Sequence, residues 1–306
     1  MPTIERREIL TLLVLLLGVV LHFLPPVTAG KPVPEAAASA ERPLPSGLLA
    51  RYHLDKDHAV QRKLPHRLKE ISGLAMTSDH RLLAHNDEKG LVSELDPATG
   101  AVRSTFAIVK DGHPVAADFE GITVLGDRIY LVTSDGVIYA CPQGTDGEDV
   151  SCEEYDTGLG AEYELESLGS ASDRGELILV SKNPRSAALA GLVCIDRWSV
   201  QTRQLVRGDR LTIPFAAFTA SLDEDKFQPS GVEVDPATGH YLILAGRQRS
   251  LAEVTRDGKV VSVATLPKRL HWQPEGIALG ADGSLLIADE GDDGAARLTL
   301  YPRRDQ

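Results

Sequence analysis

Five short stretches of this chain put polar or acidic residues just ahead of a small one: "EISGLA" at Glu70, "DFEGIT" at Asp118, "ELESLG" at Glu164, "QPSGVE" at Gln228 and "QPEGIA" at Gln273. Immediately before the small residues Gly73, Gly121, Ser167, Gly231 and Gly276 stand Ser72, Glu120, Glu166, Ser230 and Glu275. If the five openings meet, three carboxylates meet with them. The stretches "LAHNDE", "LVTSDG", "LVSKNP", "LAGRQR" and "IADEGD" follow in the same order and would add Asp87, Lys182, Arg247 and Asp289. Ionised carboxylates cannot be buried together without a partner. Either Lys182 and Arg247 neutralise them in an ion-pair network or a metal does. The oxygen donors of Glu120, Glu166, Glu275, Asp87 and Asp289 suit calcium, which takes roughly 6–8 oxygen ligands in flexible geometry.

Other chemistries find less support. No His/Cys cluster has zinc-ligand spacing. "DEGDDG" at 289–294 starts like a calcium loop, but Gly291 at its third position and Leu300 at its twelfth break the pattern. There is no G-x-S-x-G elbow, H-E-x-x-H helix or P-loop. The 9 histidines are scattered. His85, beside Asn86 and Asp87, is the best candidate for proton transfer, weighed against a satisfied surface residue at a strand end. A calcium-dependent hydrolase of the phytase, esterase or lactonase kind would use the same carboxylates, with the ion polarising a phosphoryl or carbonyl oxygen. A phytase would also want a basic phosphate pocket, for which only Lys182 and Arg247 are offered.

The elements that must position these residues follow from their recurrence. The small anchors are spaced by about 48, 46, 64 and 45 residues, the length of a four-stranded propeller blade. The long interval holds "TIPFAAFTASLDEDKFQ", read as an insertion. Its segment 215–227 mixes Phe with acids, as a lid or docking element would, and a packed Ω-loop is the plainer expectation. One unit displays the blade plan: "SGVEVD", "HYLILAG", "SLAEVT" and "KVVSVATL" are apolar strands joined by the turns "PATG" and "RDG", and Asp-Gly between such strands is a strong hairpin signal. The last unit ends one strand short. "AVQRKLPHRLKEISGLA" near the start parallels "VVSVATLPKRLHWQPEGIA", so the segment before Glu70 occupies a fourth-strand position and would close the ring, leaving no open edge. The expected fold is all-β, a five-bladed β-propeller after an N-terminal apolar helix. A sixth blade would need a further copy hidden in the long interval.

Residues 9–24, "ILTLLVLLLGVVLHFL", carry no formal charge and follow Arg6 and Arg7. They read as a signal-anchor or transmembrane segment within 1–29, with a cytoplasmic N-terminus and an exported remainder. The small-x-small "VTAG" offers an alternative in which the segment is cleaved and the protein is periplasmic or secreted. A Pro/Ala-rich linker spans 30–47, and the propeller domain 48–306. Cys141 and Cys152 flank "PQGTDGEDVS" and are expected to form a disulfide, in keeping with export, whereas Cys194 reads as a buried apolar residue. The net charge of -12 argues against a nucleic-acid partner. The membrane, through the N-terminal segment, and an envelope protein or small-molecule ligand remain as partners.

Taken together, "EISGLAMTSDHRLLAHNDEKGLVSELD", "DFEGITVLGDRIYLV", "QPSGVEVDPATGHYLILAGRQRSLAEVTRDGKVV" and "QPEGIALGADGSLLIADE" resemble the SdiA-regulated (YjiK-like) family of bacterial envelope proteins, from about residue 48 to the end. The resemblance implies a five-bladed propeller behind a membrane segment, calcium at a shared site, no established biochemical activity and distant kinship to NHL-type propellers, some of which are hydrolases. "LAGRQRS", where an acidic residue near Gly246 is expected, and "LVSKNP", with Lys182, depart from the family pattern.

Overall fold

A computed structural model describes residues 47–291 and 294–304. The chain divides into two compact units, Met1–Arg42 and Pro43–Gln306, and the described residues belong to the second. The expected anchor, 1–29, and the linker up to residue 46 lie outside them. Among the described residues, no helix is long and apolar enough to cross a membrane.

Alternating apolar runs broken by turn residues must pair into meanders, and five sheets result. Their first strands are Ile71–Met76, Phe119–Leu125, Tyr163–Ala171, Gly231–Val234 and Pro274–Leu279. Each touches the next, and the fifth returns to the first, so they form an inner ring. The fourth sheet shows the plan without additions: Gly231–Val234, Tyr241–Ala245, Ser250–Val254 and Val260–Thr265 pair in sequence. Gly258, at φ 88°, makes the tight "RDG" turn between the last two, a conformation open to glycine at no steric cost. Second strands are packed on both faces by neighbouring blades, and so Tyr241–Ala245 and Leu285–Asp289 are buried throughout.

The last sheet combines the two ends of the described chain. Val60–Lys63 pairs antiparallel with Arg297–Tyr301, Val60 opposite Leu300 and Lys63 opposite Arg297. The fold is therefore a five-bladed β-propeller closed by its N-terminal strand. Across the seam between last and first blades, Leu74, Leu82 and Leu95 pack with Ala278, Leu286 and Leu298.

The insertion is packed down. Its short helix, Phe215–Thr219, buries Phe218, which stacks on the equally buried Phe227 at 4.2 Å between ring centroids. Both rings join the core between the third and fourth blades. Neither is free to dock a partner, and the segment behaves as the plainer expectation had it.

Cys141, on strand Val137–Pro142, is joined by a disulfide to Cys152, with 4.4 Å between Cα atoms. Between the cysteines, Asp149–Ser151 pairs in parallel with residues 107–109 of strand Val102–Lys110. This excursion from the second blade thus covers the outer edge of the first. Cys194 is buried and free.

Candidate functional site

All but one of the first strands open with a local irregularity. In four blades the ladder skips one residue, between Ile71 and Gly73, Phe119 and Gly121, Leu165 and Ser167, and Pro274 and Gly276. The skipped residues are Ser72, Glu120, Glu166 and Glu275. A bulge leaves its extra residue out of the ladder and re-aims the side chain, here toward the axis. The small residue after it is required by the crowding of inner strands. A Cβ on Gly121 would lie 2.6 Å from the backbone nitrogen of Leu168, and one on Gly231 would lie 2.8 Å from the carbonyl oxygen of Glu275.

A second ring of side chains comes from the second strands, and the register identifies it. Gly73, Gly121, Ser167, Gly231 and Gly276 pair with His85, Val132, Val180, Leu244 and Ala288. Two residues beyond those partners stand Asp87, Ser134, Lys182, Gly246 and Glu290. Lys182 donates a hydrogen bond to Glu166, and Ser134 donates one to Asp118 (2.6 Å). The residues that begin the openings complete the mouth: Asn183 donates to Glu164 at 2.8 Å and accepts from Gln228 at 2.7 Å, while Gln273 donates to Glu290.

Two of the expected site residues are not in this cluster. Asp289 is one position out of register, 1% exposed, and its Oδ2 lies 2.8 Å from His271 Nδ1, whose Nε2 lies 2.8 Å from the Tyr301 hydroxyl. Side chains alternate along a strand, so Glu290 takes the axial place and Asp289 turns into the blade. Arg247 is likewise one residue past the axial position, which Gly246 fills. It is exposed and makes no ion pair among the described residues. Gly246 is required by a close approach, since a Cβ there would lie 2.6 Å from the Pro274 carbonyl oxygen and 3.4 Å from Glu275 Oε1.

The electrostatics follow from this crowding. Burial, reinforced by Glu166 and Asp118, pushes the Glu120 carboxyl up to about 9. Burial and Glu166 push Glu275 up to about 8. Glu290 rises to about 7 through burial and the charges of Asp87 and Glu70, and Glu166 rises to about 7 through burial, against the pull of Lys182. Asp87 is raised by burial and by Glu70. Lys182 is disfavoured as an ammonium by its burial, but Glu166, Glu275 and Glu120 outweigh this and hold its pKa above the ordinary value. Glu166 also repels the Glu120 carboxylate, so the two carboxyls titrate as a linked pair and not independently.

The donor set fits a hard cation. It consists of carboxylate and hydroxyl oxygens, carries a charge excess opposed by one ammonium, and includes a buried Asp87 Oδ1 without a hydrogen-bond partner. Among the described residues no three of these carboxylates bring oxygens within 4.8 Å of one another, so coordination requires side-chain rotation. Glu120, Glu290, Asp87 and Glu275 would hold calcium, and Glu166 would join them on leaving Lys182.

Behind the mouth the channel is filled. About 10 Å³ remains beneath Ser72, Glu120, Ser230 and Glu275, the room of a single water. At the far ends of the inner strands the ring opens again into a cavity of about 740 Å³ lined by Thr77, Thr123, Ser170 and Glu233. Burial pushes Glu233 up to about 7. His85 is fully buried, not at the surface. Its Nδ1 lies 2.9 Å from the Asn86 carbonyl oxygen, and burial lowers its pKa to about 4, which keeps it neutral.

The sequence model of the SdiA-regulated family matches residues 46–292. No match was found among curated proteins. Among solved structures, a glutaminyl cyclase from Myxococcus xanthus aligns with a TM-score of 0.55 and 13% identity, over 79% of this chain and 95% of its own. A luciferin-regenerating enzyme aligns with a TM-score of 0.51 and 11% identity, over 80% of this chain and 95% of its own. At these identities the two enzymes share a propeller fold with this chain, and their chemistry does not transfer with it. The family match covers most of the chain, including all five openings, and the protein belongs to the SdiA-regulated family.

Proposed function

We propose that this protein is a calcium-binding propeller, tethered to a membrane on its extracytoplasmic side, that serves as a binding module. One observation carries the calcium reading: Glu120, Glu275, Glu290 and Asp87 gather half-buried at the axial mouth, and their ionisation is suppressed by desolvation and by neighbouring carboxylates. A divalent cation reverses both effects. The uncharged stretch 9–24 supports the tether, with a cleaved, periplasmic or secreted form as the alternative. The Cys141–Cys152 disulfide supports an oxidising compartment. A rigid ring with a filled channel suits presentation of its faces to an envelope partner, and the cavity at the far end has the size of a small-molecule site.

Calcium titration calorimetry on the metal-stripped protein, with thermal melts of the same samples, tests the reading. Saturable binding with a raised melting temperature supports it. No heat and no shift would mean that Lys182 and bound protons satisfy the carboxylates alone.

A second reading, a calcium-dependent hydrolase, draws on the proximity of Glu120 and Glu166, whose charges act on one another. Two carboxyl groups whose pKa values are pushed apart can divide the roles of general acid and general base. Turnover of phosphate esters or lactones that is lost in Glu120→Gln with the fold intact would favour it over the binding module.

A further inference from the structure

The sequence "HLDKDH", residues 53–58, lies on the stretch leading into the closing strand, and none of the axial chemistry uses it. Both ends of this stretch are fixed. Tyr52 forms a bridge with Arg303, and Val60 pairs with Leu300. Within it, Asp55 Oδ1 accepts hydrogen bonds from the backbone N–H groups of Asp57 (2.9 Å) and His58 (3.1 Å). That turn folds His58 back over Asp55, placing its Nδ1 at 2.8 and 3.0 Å from the two carboxylate oxygens. The His53 and His58 rings stack at 4.1 Å, 15° from parallel. Lys56, the nearest competitor for Asp55, is paired instead with Asp57 at 2.7 Å.

One ligand atom from each of His53, Asp55 and His58 therefore lies within 4.8 Å of the others. We propose that these three residues form a site for one divalent transition-metal ion of the zinc class, separate from the axial carboxylates. Two imidazole nitrogens and one carboxylate oxygen are borderline donors, which suit zinc, nickel or copper and are a poor set for calcium. Bond lengths of about 2.0–2.2 Å place neighbouring ligands of tetrahedral zinc roughly 3.3 Å apart, so the Asp55–His58 contact is already close to that spacing. Binding breaks the Asp55–His58 hydrogen bond, with the neutral imidazole carrying its proton on the ring nitrogen away from the metal while both side chains turn lone pairs to the ion. Water takes the fourth position, because Asp55 and His58 are about half exposed.

All three ligands sit between points tied to the last strand. The metal would act as a clip ahead of the closing strand, and its occupancy would add to the stability of the closed ring by mass action.

The test is zinc titration calorimetry on the untagged full-length protein, stripped of metal and then saturated with calcium, alongside His53→Ala and His58→Ala. The expected result is one zinc equivalent, weakened by about tenfold or more in each variant. Zinc should raise the melting temperature of the natural protein and not of His58→Ala. Cobalt(II) added in place of zinc should develop a visible absorption band that neither variant reproduces. Absence of zinc heat, or binding of equal strength and stoichiometry in both variants, overturns the proposal. Both substitutions are at partly exposed positions, and a metal-free melt matching the natural protein confirms that each variant is folded.

Discussion

Lys182 and Glu166 face each other across one blade at the axial mouth, the ammonium on the second strand hydrogen-bonded to the carboxylate on the bulged first strand. Glu166 is 3% exposed and Lys182 20%, so the pair is largely out of water, and Lys182 is the ammonium that opposes the raised pKa of Glu120, Glu166, Glu275 and Glu290 alike. Replacing it with Met leaves the carboxylates uncompensated. The metal-free Lys182→Met protein should lose about 3 kcal/mol in denaturant melts at neutral pH. Calcium should restore most of that loss and bind more tightly than it does to the natural protein.

Metal-free stability should fall as the pH rises. Glu166, Glu275 and Glu120 have folded-state values of about 7, 8 and 9, above the ordinary carboxylate value of 4.5. A raised pKa means that the unfolded chain gives up these protons first. Their contribution is present in full below about pH 4.5 and is lost progressively above it, the last of it as the pH passes the folded values of about 7 to 9. Melting temperatures in chelator should therefore decline from about pH 5 to about pH 9, and saturating calcium should flatten the decline. A chelated protein whose melting temperature rises over that range would contradict the site.

Glu290 and Asp289 are adjacent in sequence and should behave differently. Glu290→Gln removes an axial oxygen donor and should weaken calcium binding by about tenfold. Asp289→Asn breaks a buried bond to His271 and should lower stability by about 1–3 kcal/mol while calcium affinity stays as it was. Calorimetry and melts of the two variants check both halves.

That pair also marks where the sequence stops being readable. The repeat spacing, the hairpin signals and the short last unit were enough to yield five blades and their closure, because a closed ring of meanders is what such a pattern must bury. The bulged residues Glu120, Glu166 and Glu275 were legible for the same reason, each standing before a residue that has to be small. The second strands are apolar on both faces and carry no alternation from which to count register. A slip of one residue therefore exchanged Glu290 for Asp289 and Gly246 for Arg247. Comparing strand ends at equal distance from their ladder partners would have avoided it. Neither a proton-transfer role nor a surface place for His85 could be decided from sequence, because burial at a strand end depends on the neighbouring blade, here Phe119 in edge contact at 6.4 Å. "HLDKDH" shows no ligand spacing in sequence, because its side chains converge only once Asp55 caps its own turn.

Removing the disulfide should cost stability without opening the ring. The separation of 11 residues closes a short loop, and the Cys141→Ser/Cys152→Ser variant should lose about 2–3 kcal/mol by denaturant titration. The excursion carrying Asp149–Ser151 should exchange its amide protons faster in that variant.

Gly121→Ala should be among the costliest single-methyl changes in the molecule. The added carbon meets the Leu168 backbone at 2.6 Å, where no rotamer change relieves it, and a loss of about 1–3 kcal/mol is expected in thermal or urea melts.

Closure by an N-terminal strand also sets an order of events during synthesis. Gln61 and Thr299, partners in the finished ladder, are 238 residues apart, so strand Val60–Lys63 is made early and waits unpaired until the last strand follows. The entropy of joining such distant ends is modest, about 0.6 kcal/mol for each doubling of length, and the delay itself is the hazard. The waiting strand reads Val-Gln-Arg-Lys and is almost wholly polar, a composition that discourages pairing with another nascent chain. Four blades can assemble as they emerge, and the fifth is completed only after the whole chain has been delivered.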